Sequence, residues 1–127
     1  MSELLAVMPF AARLGLRINE ATAESVEGEI DWVEDLCTAG GVLHGGALMA
    51  AADSLGALCA YLNLPEGAST ATLESKTNFF RAVRGGAVRL AATPLHVGRS
   101  SIVVQTELRD RDGDRVALVI QTQAVLT

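Results

Sequence analysis

Aromatic side chains are scarce here: one Trp, one Tyr and three Phe make up 4% of 127 residues, although half of all residues are hydrophobic. A core drawn from that composition is built of Ala, Val and Leu, and the length suits one domain spanning residues 1–127. Cysteine is equally sparse. Cys37 and Cys59 are too few for a disulfide framework, and no pair among His44, His96, Cys37 and Cys59 has the close spacing of a zinc site, so no metal is expected. The longest apolar run, from Ala47 to Leu62, is interrupted by Asp53 and too short to span a bilayer. The stretch Met1–Ala12 is apolar but contains Glu3 and Pro9 and lacks a basic flank. It reads as a short leading helix rather than an export signal, which predicts reduced thiols, a cytoplasmic location and no membrane partner.

Basic residues are the minority, 10 against 15 acidic ones, for a net charge of −5 that argues against non-specific nucleic-acid binding. They are unevenly placed. Residues 1–66 carry ten acidic and two basic side chains, whereas residues 67–127 carry five acidic and eight basic ones, seven of them arginines. A local arginine-rich region on an acidic protein can bind a small polyanion; a solvated face explains the same pattern.

What is present is concentrated in Gly40-Gly41-Val42-Leu43-His44-Gly45-Gly46 and the apolar run behind it. A helix apolar on every side is normally wrapped by other structure. Glycines before it leave backbone N–H groups with no partner inside the helix, and these, with the positive end of the helix dipole, suit a developing negative oxygen. Asp53 stands alone among Ala50, Ala51, Ala52, Leu55 and Ala57. A carboxylate there is costly unless paired, protonated or used.

The remaining chain reads mostly as strands. Leu14–Ile18 predicts a short one, and Ser25–Val33 alternates cleanly, with Val26, Gly28, Ile30 and Trp32 on one side. Beyond the helix, Pro65 and Gly67 mark a turn. Four further strands follow, at Ser69–Phe80, Ala87–Val97, Ile102–Leu108 and Arg115–Leu126, with turns at Arg84-Gly85-Gly86, Gly98-Arg99-Ser100 and Asp112-Gly113. Short loops between consecutive strands predict an antiparallel meander curved around the helix. His44 and Asp53 are nine residues apart, about half a turn out of phase and roughly 13 Å along a helix axis. Cooperation between them therefore needs a second subunit, with two helices antiparallel about a two-fold axis.

At His44-Gly45-Gly46 with Ala52-Asp53 following, together with Asn78-Phe79-Phe80 and His96-Val97-Gly98-Arg99, the chain resembles the hotdog-fold acyl-CoA thioesterases, particularly the phenylacetyl-CoA thioesterase-like group. The resemblance implies an α+β hotdog fold, a long helix wrapped by an antiparallel sheet of five or six strands. It implies hydrolysis of an aromatic or medium-chain acyl-CoA by a homodimer, itself paired into a dimer of dimers, with coenzyme A as part of the substrate and no separate cofactor. Gly45 N–H would polarise the thioester carbonyl and Asp53 of the facing subunit would attack it or activate water. Thr72 would orient the water or carboxylate, and His44 would support the oxyanion end. Gly46, Phe80, Arg81, Arg84, Gly98, Arg99 and Ser100 would hold coenzyme A and substrate. One departure stands out: Thr38 and Ala39 occupy a loop where relatives commonly have Asn or Gln.

Plainer readings exist for each residue. Asp53 can be satisfied by a neighbour such as Ser54, and His44 can simply bond a loop carbonyl. Thr72 is at home in any strand, and of Phe79 and Phe80 one is expected in the core and one in a pocket. A hotdog hydratase acting on enoyl or hydroxyacyl thioesters and a non-catalytic acyl-CoA-binding module are the rival functions.

Overall fold

The structure, a computed structural model, describes residues 2–127. Its frame is one antiparallel sheet of six strands: β1 (Arg17–Ala21), β2 (Val26–Asp31), β3 (Ser69–Phe79), β4 (Ala87–Val97), β5 (Ser101–Arg109) and β6 (Arg115–Leu126), ordered β1-β2-β4-β5-β6-β3. Helix α3 (Gly45–Tyr61) packs across one face of this sheet and touches β2 through β6. Two short helices, α1 (Ser2–Ala6) and α2 (Pro9–Arg13), lead in. Among the described residues, no helix is long and apolar enough to cross a membrane.

Period-two patterning sets which strand face meets the helix. In β5, Ile102, Val104, Thr106 and Leu108 are all buried, and in β2 the same holds for Val26, Gly28 and Ile30. Against them the helix sets Ala51, Ala52, Leu55, Leu58 and Cys59. Small residues let helix and sheet approach closely. A Cβ on Gly28 would collide with the Arg17 carbonyl oxygen and lie 3.1 Å from Leu55 Cδ1.

The expected elements are present, with three corrections. The leading helix is two helices, because Pro9 cannot continue α1 and holds Met8 in a non-helical conformation (φ −128°, ψ 72°); Met1 lies outside the described residues. The first strand starts at Arg17 rather than Leu14. Gly15 (φ +80°) closes α2 in the left-handed conformation, and the N–H groups of Gly15 and Leu16 return to the carbonyls of Ala12 and Ala11.

The third correction concerns topology. Only β4-β5-β6 form the predicted meander; β3 crosses to the far edge and pairs with β6. The edge of β4 that β3 would have occupied is taken by β2, from Val26↔Ala92 to Asp31↔Ala87. The loop from Phe80 to Gly86 makes the crossing, held where Val83 O accepts from Leu43 N–H and Gly86 O accepts from Trp32 N–H. As a result β3 is exposed along most of its length, and one flank of α3 stays open, with Met49 and Tyr61 exposed. One chain therefore does not cover the helix on every side.

The close packing at Gly28 predicts that Gly28→Ala lowers stability by about 1–3 kcal/mol, read from denaturant unfolding; an unchanged midpoint would contradict it. Burial pushes the Cys59 thiol up to about 11, so at pH 8 it is held as an unreactive thiol. A thiol reagent at that pH should modify Cys59 only after denaturant is added, as peptide mapping would show, whereas rapid labelling of Cys59 in the native protein would refute its burial.

Candidate active site

The helix entrance is fixed from several directions. Gly40 (φ +83°) and Gly41 (φ +73°) turn the chain in a conformation that other residues rarely adopt. Trp32 Nε1 donates to the Gly41 carbonyl (2.9 Å), Thr38 N–H to Val42 O (2.8 Å), and His44 N–H to Leu36 O (2.9 Å). This delivers His44 as the N-cap residue, with φ −62° and ψ 132°. Its Nδ1 accepts from Gly46 N–H at 2.7 Å, which places the proton of the neutral ring on Nε2. The first free donor of the helix is then Gly45 N–H, which has no acceptor among the described residues. The two glycines are thus distinguished: Gly46 is occupied by the cap, and Gly45 is available at the positive end of the dipole.

An open groove of about 410 Å³ lies beside that donor, lined by Thr38, Leu43, Gly45, Leu48, Phe79 and Phe80 among others. The Phe79 ring comes within 3.0 Å of where a Gly45 Cβ would stand, so a side chain there would push the ring aside. Phe79 and Phe80 both line the groove and both are exposed, so neither is the expected core residue. The reason is the edge position of β3, which has no fully covered face to receive one of them.

Asp53 sits two turns along the helix, half-buried. Its Oδ1 accepts from the Thr72 hydroxyl (2.9 Å) and from Gln121 Nε2 (3.1 Å). Gln123 Nε2 donates to Thr72 Oγ1 (2.6 Å), which commits the single Thr72 hydroxyl proton to Asp53. The Thr70 hydroxyl lies 3.1 Å from Gln123 Oε1 and 2.7 Å from Ala124 O, and it donates to this pair of acceptors. Both bonds to the carboxylate fall on Oδ1, leaving Oδ2 without a partner among the described residues. Ser54 does not contribute, since its hydroxyl donates to Ala50 O.

Gln121 and Gln123 escaped the sequence reading, and both are fully buried. Their signal was available: in β6 they follow Ala117 and Val119 at every second position, on the face turned toward the helix. Gln121 Oε1 has no hydrogen-bond partner among the described residues, a condition that costs about 1–3 kcal/mol for a buried polar atom. It rests against Gly56, where any Cβ would collide with it.

The remaining residues divide into two groups. Arg81 lies 3.8 Å from Asp114 and Arg84 donates to the Gly40 carbonyl (3.3 Å); both are exposed near Phe80 and the helix entrance. Gly98, Arg99 and Ser100 form the β4–β5 turn, tied to the far end of β6 by Val125 N–H donating to Ser100 O. The sheet register sets Phe79 opposite Ala117 and Ser101 opposite Ala124. Seven residues of strand therefore separate the groups, over 20 Å. One chain does not bring Phe80, Arg81 and Arg84 together with Gly98, Arg99 and Ser100. Nor does it join Gly45 to Asp53, which are roughly 12 Å apart along their shared helix.

Residues 40–117 match the thioesterase superfamily. A Vibrio cholerae protein assigned as an esterase is 40% identical over 85 residues, which make up 67% of this chain and 57% of that protein. A proofreading thioesterase from Cronobacter sakazakii is 36% identical over 86 residues, 68% of this chain and 63% of its own length. The chain thus spans less than two thirds of either of these relatives. Among solved structures, a mutant thioesterase from Pseudomonas aeruginosa superposes with a TM-score of 0.93 at 29% identity, covering 98% of this chain and 92% of the other. A thioesterase from Haemophilus influenzae gives 0.89 at 30% identity, covering 93% and 82%. With its long helix on an open antiparallel sheet and a glycine-headed helix entrance, this chain belongs to the thioesterase superfamily and has the hotdog fold.

Proposed function

We propose that the protein hydrolyses acyl-CoA thioesters at two equivalent sites formed between two copies of the chain. The observation that carries this reading is the placement of complementary half-sites at opposite ends of one uncovered edge strand. The donor Gly45 lies under Phe79 at the end of β3, and the acceptor pair Asp53–Thr72 lies near its start. Antiparallel pairing of β3 with β3 of a second copy, centred between Ser75 and Lys76, would set Thr72 opposite Phe79 of the partner subunit. Each Asp53 carboxylate is then carried toward the other chain's Gly45. The same operation carries the Gly98-Arg99-Ser100 turn toward the Arg81 and Arg84 end of its partner.

The monomer surface supports such a pairing. Leu73 (67% exposed) and Phe79 are exposed on β3, with Phe80 just beyond its end and Met49 on the open flank of α3. An edge strand with one unpaired side beside exposed apolar side chains is a surface that isolated proteins rarely leave open.

In the paired state the thioester carbonyl oxygen accepts from Gly45 N–H, a preorganised donor placed where negative charge builds. Asp53 presents Oδ2 to the carbonyl carbon, directly as nucleophile or through one water from which it takes a proton. The carbon–sulfur bond breaks, water supplies the new oxygen, and the products are a free acid and the coenzyme A thiol. Phe79, Leu43 and Leu48 supply an apolar wall for an aromatic or medium-chain acyl group. Arg81, Arg84 and Arg99 are suited to the phosphates of coenzyme A.

A thiol-release assay across a panel of acyl-CoAs checks this. Asp53→Asn should lose about a thousandfold in turnover while its circular dichroism and melting temperature stay those of the parent protein. Hydrolysis by that variant at the parent rate would remove Asp53 from the reaction.

A further inference from the structure

We propose that Gln121 is the positioning residue for the Asp53 carboxylate, holding Oδ1 so that Oδ2 alone is presented to substrate. The proposal rests on the reading that Asp53 is the reacting carboxylate, and it concerns a side chain that is itself fully buried.

The orientation of the Gln121 amide is determined by its surroundings. Its Nε2 faces two acceptors, Asp53 Oδ1 at 3.1 Å and the Asp53 carbonyl oxygen at 3.4 Å. A flipped amide would set its oxygen against both. The side chain therefore grips Asp53 by carboxylate and main chain together, and its own Oε1 is driven into the helix with no donor to receive it. Gly56, about one turn after Asp53, leaves room for that oxygen, since a Cβ there would stand 1.9 Å from it. A glutamine kept for packing alone has no reason to retain an orphaned carbonyl, because an apolar side chain of the same length fills the volume without one. Thr72 supplies the second bond to the same oxygen, and its direction is imposed by Gln123. The carboxylate is thus fixed through Oδ1 by donors from β3 and β6, and Oδ2 is left without a partner among the described residues.

The two roles predict opposite behaviour in one variant. Gln121→Met keeps the volume and removes both the donor and the unpartnered carbonyl. The purified full chain is assayed beside Asp53→Asn on whichever acyl-CoA the parent hydrolyses fastest. Gln121→Met should lower kcat by about tenfold to a hundredfold, as expected for a misplaced reacting group, with KM within about twofold and a melting temperature unchanged or raised. A parental kcat, or a kcat loss that merely tracks a lowered melting temperature, overturns the proposal.

The isosteric Gln121→Glu provides the second readout. While protonated, the introduced carboxyl can still donate to Asp53; once ionised it cannot. The ratio of its kcat to the parent value should therefore fall through a one-proton step as pH rises. A ratio that stays flat and near one overturns the proposal. Parental activity in Asp53→Asn would instead discard the active-site reading beneath it, so the two failures are told apart.

Discussion

A rigid helix keeps its residues at fixed separations, and that constraint governs this protein. Among the described residues, Gly45 offers a free donor at the helix entrance, Asp53 offers a carboxylate oxygen without a partner, and eight residues of α3 hold them roughly 12 Å apart. No rotamer closes such a gap. A two-fold operation does, provided that the two groups lie at opposite ends of an element that can pair with its own copy. The edge position of β3 meets that condition, and its exposure along both faces follows from the same placement.

The entrance and the middle of α3 solve different electrostatic problems. At the entrance, a histidine cap consumes Gly46 N–H and leaves Gly45 N–H directed outward, so a neutral side chain selects which backbone dipole stays free. Farther along, two hydroxyl and amide donors converge on a single oxygen of Asp53. Among the described residues neither arrangement uses a cationic partner; Arg81, Arg84 and Arg99 lie instead in exposed loops. A site of this kind handles charge with oriented dipoles, which need little reorganisation when an oxyanion forms. Its cost is visible at Gln121, whose carbonyl is buried without a donor, and in Gly56, a glycine inside a helix where alanine would favour the fold locally.

Much of this was legible in the residues. The alternation of Val26, Gly28 and Ile30 gave β2, the limits of β4 and β6 fell at Ala87–Val97 and Arg115–Leu126, and the helix began at Gly45 as its glycines implied. Asp53 stood out because nothing near it in sequence could neutralise it. Three things stayed hidden for physical reasons. The place of β3 depends on β2 having claimed the edge of β4, a long-range competition that short loops do not report. The break at Pro9 was readable but outweighed by the apolar run around it. Gln121 and Gln123 occupy core-facing positions of a strand whose other residues already satisfied the pattern, so their amides passed as ordinary polar substitutions. Their meaning appears only once Asp53 is opposite them.

The central claim is that the donor and the carboxylate of each site come from different chains, and subunit complementation measures it directly. Gly45→Pro removes the N–H at the first helical position, where the helix backbone accepts proline and the extended His44 (ψ 132°) suits a residue before it, while the new ring also shifts Phe79 of the same chain. Gly45→Pro and Asp53→Asn homodimers should each be inactive. Unfolded together and refolded in equal amounts, they should form mixed dimers with one intact site each and recover roughly a quarter of the parent activity, since about half of the dimers are mixed. Mixed dimers seen by native mass spectrometry with no recovered activity would contradict the account.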